Sequence, residues 1–205
     1  MRIHTFPLGP LETNCYLLVE GDEAVAVDPG GNPAMVVQYL TTHKLKLTAI
    51  LVTHLHFDHV LGVAALAKET GATVYANSRD DFMLRSELGS GGGFGLPETE
   101  PFENENLDEG ELTLMGLTCK VLATPGHSPG SLSYYFPAAK AVFGGDVLFH
   151  RSVGRSDLPG GDGNTLRETI RKKLFTLPPE TVVYPGHGPS TTVSAEMRGN
   201  PFIGV

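Results

Sequence analysis

The stretch Thr53-His54-Leu55-His56-Phe57-Asp58-His59 decides how this sequence is interpreted. It follows the apolar run Ala49-Ile50-Leu51-Val52, which is typical of a buried strand, and it precedes a helical pattern that begins near Leu61. Four potential metal ligands lie in the six positions from His54 to His59. A polar turn at a strand end is the alternative, but turns favour Gly, Asn and Ser over repeated histidines. The stretch therefore predicts a metal site.

The side chains of this stretch indicate the kind of metal site. Imidazole and carboxylate ligands suit zinc, iron or manganese. The sequence has only two cysteines, so it lacks the thiolates that usually close a structural zinc site. In an extended segment His54, His56 and Asp58 project to one side, while His59 falls outside that alternation and can reach a neighbouring centre. We therefore expect a catalytic site with two adjacent metals.

Three further ligand candidates, His127, Asp146 and His187, each follow a glycine at the end of a strand-like run. One histidine after a strand is more often a surface or core residue, but the repeated pattern favours a common site. Asp146 can bridge two cations and leave room for a solvent molecule. The predicted set places His54, His56 and His127 on the first cation, Asp58, His59 and His187 on the second, and Asp146 between them.

Strand-like runs and helical patterns interleave along the chain, which predicts an α/β fold with two mixed sheets face to face and helices outside. Ten strands are predicted, at 3–6, 14–19, 24–28, 49–53, 73–76, 112–115, 117–123, 131–136, 141–144 and 181–184. Helices are predicted at 33–42 after Asn32 as N-cap, at 61–69, at 79–87, and at 165–174 with a Thr165 and Glu168 capping box. The glycine-rich segment 89–101 is predicted to be a surface loop or flap without regular structure.

Composition narrows the class of protein. A length of 205 residues fits one domain, and 15 basic against 23 acidic residues give a net charge of −8. That charge repels nucleic acid and anionic lipid. No apolar run approaches the roughly 20 residues of a membrane helix, and the N-terminus lacks the apolar core of a signal peptide. Cys15 and Cys119 lie in strand-like runs, as expected of buried thiols in a reducing cytoplasm.

The motif His54-x-His56-x-Asp58-His59, with the three downstream ligands, resembles the metallo-β-lactamase fold superfamily and, within it, the short single-domain glyoxalase II-like hydrolases of bacteria. The resemblance runs from Asn14-Cys15-Tyr16 to Pro185-Gly186-His187-Gly188. It implies a four-layer αββα sandwich with the metals at one edge between the sheets. It also implies one catalytic domain over residues 1–205, without the helical C-terminal domain that binds glutathione in longer relatives.

The resemblance implies hydrolysis of a thioester, with S-D-lactoylglutathione giving D-lactate and glutathione. A metal-bridging hydroxide attacks the carbonyl, and Asp58 both binds metal and relays a proton. Zinc is the expected metal, with iron or manganese as alternatives. True β-lactamases usually lack the Asp58 and His59 combination and have Cys where Asp146 stands, so a β-lactam substrate is not expected.

The resemblance also gives three other residues a role. Arg155 stands where glyoxalase II has a basic residue that meets the glycine carboxylate of glutathione; a salt bridge to Asp157 or Asp162 is the alternative. Asp28 and Thr53 are expected to orient metal-binding imidazoles, or else to be ordinary polar residues at strand ends.

Two other functions remain open from the sequence. The first is a persulfide dioxygenase of the same fold, which would hold one iron through His54, His127 and Asp146. The second is a structural or sensing zinc centre, which open coordination and the lack of thiolates disfavour.

Overall fold

The structure, a computed structural model, describes residues 1–203 apart from the Phe94 side chain. The chain divides into two compact units. The N-terminal unit comprises Met1–Leu107 with Thr113–Gly116, and the C-terminal unit comprises Asp108–Leu112 with the chain from Leu117 onward. That residues 1–205 form one catalytic domain stays a prediction.

A mixed sheet of six strands forms the N-terminal unit. The strands are β1 (Arg2–Leu8), β2 (Thr13–Glu20), β3 (Glu23–Val27), β4 (Lys46–Leu51), β5 (Thr73–Ala76) and β6 (Glu105–Asn106). They lie in chain order. The first three pair antiparallel, and β3 to β6 pair parallel, so the chain crosses over between them. Val27 pairs with Leu51, which brings the loops after β3 and β4 to the same edge of the sheet.

Four α-helices belong to this unit: α1 (Ala34–His43), α2 (Phe57–Val60), α3 (Val63–Thr70) and α4 (Glu87–Ser90). The predicted helix 33–42 is therefore present with a shift of one residue. Asn32 Oδ1 accepts a hydrogen bond from the Ala34 backbone N at 3.0 Å, which fixes the start of α1. Leu17, Ile50 and Leu66 are fully buried in the core between sheet and helices.

The predicted helix over 79–87 is wrong. Two short 3₁₀ turns, Ser78–Asp80 and Met83–Arg85, take its place. Asn77 Oδ1 accepts from the Arg79 backbone N and starts the first turn. Ser86 adopts an extended conformation and donates its hydroxyl to the Met83 carbonyl, which ends the second turn before α4 begins.

The glycine-rich segment 89–101 is more regular than predicted. It contains the end of α4, a 3₁₀ turn at Gly93–Gly95 and an isolated antiparallel bridge between Gly91 and Glu98. Gly89 is buried, and a Cβ there would lie 2.8 Å from the Leu55 carbonyl oxygen. The prediction of a stretch without regular structure is therefore wrong, because glycine permits a close backbone contact here.

The C-terminal unit is built on a second mixed sheet and a small hairpin. Its strands are β7 (Gly110–Leu114), β8 (Leu117–Ala123), β9 (Leu132–Phe136), β10 (Ala141–Gly145), β11 (Leu148–Phe149), β12 (Ser152–Val153), β13 (Val182–Pro185) and β14 (Thr191–Thr192). The last two residues of β7, Thr113 and Leu114, belong to the N-terminal unit. The sheet order is β14-β13-β10-β9-β8-β7, and β11 pairs with β12 alone. β10 and β13 are parallel, so the loops that follow them leave the sheet at the same edge.

Two longer helical segments and a 3₁₀ turn at Pro137–Ala139 complete this unit. α5 (Gly163–Thr169) continues into a π-helical turn at Ile170–Leu174, and α6 (Val193–Gly199) follows β14. The predicted capping box is wrong, because Asp162 caps α5 by accepting from the Thr165 backbone N at 2.6 Å. Glu168 pairs instead with Lys172 one turn later. No helix within residues 1–203 has the length and apolar character needed to cross a membrane.

All ten predicted strands are present, with ends that differ by no more than three residues. Cys15 and Cys119 are buried and not joined by a disulfide. Burial raises the pKa of both thiols, that of Cys119 to about 12, so both stay protonated at neutral pH.

Candidate metal centre

Four predicted ligands lie in the loop after β4 and are buried in the N-terminal unit. His54 and His56 lie in its extended part, and the chain enters α2 at Phe57. Asp58 and His59 therefore belong to a helical turn, and the expectation of an extended segment through Asp58 is wrong. Successive side chains of a helix point about 100° apart. Asp58 and His59 therefore point in different directions although they are adjacent in the sequence. The ligand atoms of His54 and His56, and those of Asp58 and His59, lie within 4.8 Å of each other.

Asp28 joins the loops after β3 and β4. Its carboxylate accepts hydrogen bonds from the Thr53 backbone N at 2.7 Å and the Thr53 hydroxyl at 2.6 Å, and His59 Nδ1 lies 2.9 Å from Oδ2. Asp28 has a left-handed backbone with φ of 48°. Asp28 and Thr53 therefore contact two of the predicted ligand imidazoles; that they orient them toward a metal stays a prediction.

These contacts assign the protons of two imidazoles. A carboxylate only accepts, so His59 carries its proton on Nδ1, and its Nε2 lone pair lies 3.6 Å from Asp58 Oδ2. The Thr53 hydroxyl gives its proton to Asp28 and so accepts from His54 Nδ1 at 3.1 Å. The His54 Nε2 lone pair then faces His56 Nδ1 at 3.0 Å, where two ring nitrogens share a proton or a cation.

Two residues of this cluster were not predicted from the sequence. The buried Thr13 donates its hydroxyl to Asp58 Oδ2 at 3.2 Å. Asp80, also fully buried, accepts at 3.4 Å from the backbone N of Leu55, which lies between the two loop histidines. Thr13 stands beside the recognised Asn14 segment and could have been considered. Asp80 lies in a polar run that reads as a helix surface and gives no local signal.

The C-terminal unit holds the other three predicted ligands. His127, Asp146 and His187 follow β8, β10 and β13, as the strand, glycine and ligand pattern predicts. Asp146 Oδ2 lies 3.9 Å from His127 Nε2 and 3.7 Å from His187 Nε2. The Gly186 backbone N donates to the Gly145 carbonyl at 2.9 Å, which joins the loops after the two parallel strands. One carboxylate oxygen therefore lies between two imidazoles.

Backbone groups hold this second cluster. His127 Nδ1 lies 2.8 Å from the Arg155 carbonyl oxygen, which only accepts, so the proton is on Nδ1 and the Nε2 lone pair faces Asp146. Gly154 packs against the Asp146 main chain so closely that a Cβ would lie 1.8 Å from the Asp146 carbonyl oxygen. Any larger residue at 154 would displace the backbone of one predicted ligand.

The Arg155 side chain is exposed and forms a two-pronged hydrogen bond with Asp157, with both nitrogen to oxygen distances at 2.9 Å. This guanidinium lowers the pKa of Asp157 to about 2. The contact is one of the two salt bridges considered as alternatives from the sequence. Asp162, the other acidic partner considered for Arg155, caps α5 instead. That Arg155 binds a substrate carboxylate stays a prediction.

The donor set fits a divalent metal. The two clusters together offer imidazole nitrogens and carboxylate oxygens, the ligand types of zinc, iron and manganese. Ligand atoms around one tetrahedral zinc lie about 3.3 Å apart, close to the distance between His54 Nε2 and His56 Nδ1. Hydrogen bonds to Asp28 and to the Arg155 carbonyl fix the Nδ1 protons of His59 and His127, as expected of imidazoles that bind metal through Nε2.

Known proteins resemble this chain along nearly its whole length. The family model of the metallo-beta-lactamase superfamily matches residues 8–187. The probable metallo-hydrolase YqgX of Bacillus subtilis is 39% identical over 99% of this chain and 98% of its own. The hydroxyacylglutathione hydrolase GloC of Haemophilus influenzae is 36% identical over 99% of this chain and 98% of its own.

Two solved structures share the fold. The BLEG-1 B3 metallo-beta-lactamase has a TM-score of 0.91 and 41% identity, and covers 98% of this chain and 99% of its own. TTHA1623, solved in a di-iron-bound form, has a TM-score of 0.86 and 42% identity, and covers 97% of this chain and 99% of its own. The predicted family and fold are therefore confirmed. The chain belongs to the metallo-β-lactamase superfamily and is a metallo-hydrolase with its α/β fold of mixed sheets and helices.

Proposed function

We propose that the two clusters together bind two divalent cations. Membership of the superfamily, the di-iron form of TTHA1623 and the proton positions within each cluster support this proposal. Asp146 would contribute to both sites, because its Oδ2 lies 3.9 Å from His127 Nε2 and 3.7 Å from His187 Nε2. The ligands are His54, His56 and His127 for one cation and Asp58, His59 and His187 for the other.

The proposed reaction is hydrolysis of a hydroxyacylglutathione thioester, with S-D-lactoylglutathione as the test substrate. Bound cations would lower the pKa of a water molecule toward neutrality and would provide positive charge for the developing oxyanion. Asp58 takes a proton from the attacking water and returns it to the departing thiolate. The hydroxyl of Thr13 holds the Asp58 carboxylate in one orientation for this transfer.

One observation carries the choice of substrate class. The hydroxyacylglutathione hydrolase GloC is similar to this chain over nearly its full length. The residues agree with that choice, because β-lactamases of the superfamily are expected to lack the Asp58 and His59 pair and to have Cys in place of Asp146. Arg155 is proposed to bind the glycine carboxylate of glutathione, for which its planar guanidinium is suited. Binding would require Arg155 to exchange Asp157 for the substrate.

The buried free thiols fit a reducing compartment, and we propose that the protein acts in the cytoplasm on a small-molecule substrate, without a nucleic acid or membrane partner.

The test is the initial rate of S-D-lactoylglutathione hydrolysis by zinc-loaded protein, with Asp58→Asn beside it. Asp81→Asn is the matched control, because Asp81 is an exposed carboxylate of the same unit. We expect turnover to fall at least 100-fold in Asp58→Asn and to stay unchanged in the control. Equal loss in both variants, or no hydrolysis by the wild type, would contradict the proposal.

The same protein should be assayed for metal content and for two other reactions. Two metals per chain support the proposed centre. One iron per chain, with oxygen consumed in the presence of glutathione persulfide, would favour the dioxygenase that the sequence left open. Hydrolysis of a chromogenic β-lactam faster than the thioester would favour the activity in the name of BLEG-1.

A further inference from the structure

Glu196 is a buried carboxylate that the proposed reaction does not use. It lies on α6 and is 2% exposed. Its Oε2 accepts from the Arg151 backbone N at 3.0 Å and from Asn200 Nδ2 at 2.8 Å, while Oε1 accepts from the Thr191 hydroxyl at 2.6 Å. Three segments of the C-terminal unit therefore meet at one side chain.

The first of these segments is the β11–β12 hairpin. Its two-residue turn, His150 and Arg151, is held by the Arg151 N–H bond to Glu196, with Arg151 at a left-handed φ of 56°. Asn200 Nδ2 also donates to the Ser152 carbonyl at 3.0 Å, so it fastens the same hairpin to α6. Both contacts hold main-chain atoms, which fixes the hairpin rather than a side chain.

The hairpin lies in the chain between Asp146, a predicted ligand, and Gly154, which packs against the Asp146 carbonyl. Arg155 comes next, and its carbonyl fixes the proton of His127. A shift of the hairpin would therefore move both Asp146 and His127 relative to each other.

The second segment leads back to the third ligand of this unit. Thr191 opens β14 a few residues after His187, and its hydroxyl ends on Glu196. The carboxylate thus contacts the chain downstream of Asp146 and downstream of His187. Asp146 and His187 lie on separate loops, and Asp146 Oδ2 lies 3.7 Å from His187 Nε2. The distance between these two side chains therefore depends on the contacts that anchor both loops.

We propose that Glu196 is a positioning residue that sets the geometry of Asp146, His127 and His187 by anchoring the loops that carry them. This inference rests on the proposed function, since it concerns the same metal ligands. It predicts that the loss of Glu196 weakens metal binding without removing any ligand.

The variants are Glu196→Ala, Glu196→Gln and Asn200→Ala, with Met197→Ala as the control for an exposed residue of the same helix. Zinc affinity is measured by competition with a chromophoric chelator. The nitrogen resonances of His127 are measured by NMR in the metal-free protein, where a bond to the Arg155 carbonyl shows as the Nδ1–H tautomer.

We expect Glu196→Ala to lower the zinc affinity of one site at least tenfold, a loss typical when a residue that supports metal ligands is removed. The same variant should give a mixture of His127 tautomers. Glu196→Gln should restore most of the affinity, because its amide oxygen can accept from Arg151 and Asn200 while its nitrogen donates to Thr191. Asn200→Ala removes only part of the anchor and should show a smaller loss in the same site.

A lower melting temperature with wild-type zinc affinity and an unchanged His127 tautomer would overturn the inference, because it indicates a role in stability alone. If Glu196→Ala does not fold, the same result in Asn200→Ala overturns it. Wild-type protein that binds no zinc would contradict the proposed function, whereas the His127 tautomer in the metal-free variants would still decide the role of Glu196.

Discussion

The two ligand clusters are held in different ways. In the N-terminal unit four predicted ligands lie within six positions of the sequence, and a distant side chain contacts their loop: Asp28 binds Thr53 across 25 positions and His59 across 31. In the C-terminal unit the ligands come from three separate loops, and main-chain groups hold them, including the Arg155 carbonyl and the α-carbon of Gly154. The first cluster should therefore be sensitive to loss of a polar side chain, and the second to gain of bulk at a glycine.

The largest effect is expected at Asp28, the side chain that contacts the N-terminal cluster. Asp28→Ala leaves three buried donors without their acceptor, which at 1–3 kcal/mol for each orphaned group costs about 4 kcal/mol of the free energy of unfolding. Urea unfolding of the metal-free protein measures this change. A loss below about 1 kcal/mol would show that Asp28 does not organise the cluster.

Asp28→Asn is the matched variant for that test. Its amide oxygen can accept from the Thr53 backbone N, but its nitrogen donates toward His59 and so moves the His59 proton to Nε2. We expect near-wild-type stability with zinc affinity reduced at least tenfold. Equal zinc affinity in the wild type and in Asp28→Asn would show that the His59 tautomer does not control metal binding.

The next largest effect is expected at Gly154, on the main-chain half. In Gly154→Ala the new Cβ would overlap the Asp146 carbonyl oxygen, so the backbone must shift and move Asp146, the proposed shared ligand. We expect about a 100-fold fall in kcat and loss of one metal per chain, since small displacements near the chemistry cost this much. Gly110→Ala is the control, because no atom lies within 4 Å of its added Cβ.

A tenfold fall in kcat is expected for Thr13→Val, which keeps the shape of the side chain but removes the hydroxyl that holds Asp58. One lost hydrogen bond to a charged group is worth about 1.5 kcal/mol, or roughly tenfold. Thr13→Ser should restore the rate. A rate unchanged in Thr13→Val would show that the Thr13 hydroxyl does not control the orientation of Asp58.

The smallest effect is expected at Asp157. Asp157→Asn frees Arg155 from its ion pair, so KM for a glutathione thioester should fall about two- to threefold without a change in kcat if Arg155 binds the substrate carboxylate. The pKa of Asp157 is lowered to about 2, so its charge is lost only as the pH falls toward that value. The ratio of the two KM values should therefore be constant from pH 5 to pH 9. An unchanged KM would leave Arg155 with a structural role.

The sequence predicted the features that depend on near neighbours. β5 and β8 were predicted with their observed bounds, because alternation and β-branched residues mark them locally. The candidate ligands were found because each sits at a strand end, and three stand directly after a glycine. What sequence patterns missed depends on distant partners: Thr13 bonds across 45 positions to Asp58, and Glu196 bonds across 45 positions to Arg151.

The errors have the same cause. The run 79–87 has the composition of a helix, but Asp80 turns inward to the Leu55 backbone, a contact that no helical period reveals. Thr165 and Glu168 match a capping box, yet Asp162 lies closer to the first turn and provides the stronger acceptor. α6 passed unnoticed because its buried face is anchored through a carboxylate instead of an apolar stripe.

The left-handed backbone of Asp28 limits which amino acids can replace it during evolution. A φ of 48° is costly for β-branched residues and is adopted most easily by glycine, asparagine and aspartate. Within that set only aspartate accepts from both Thr53 groups and from His59 without reversing the imidazole proton. A library with every codon at position 28 should therefore yield several residues when selected for folding, with glycine, asparagine and aspartate enriched, and mainly aspartate when selected for zinc binding.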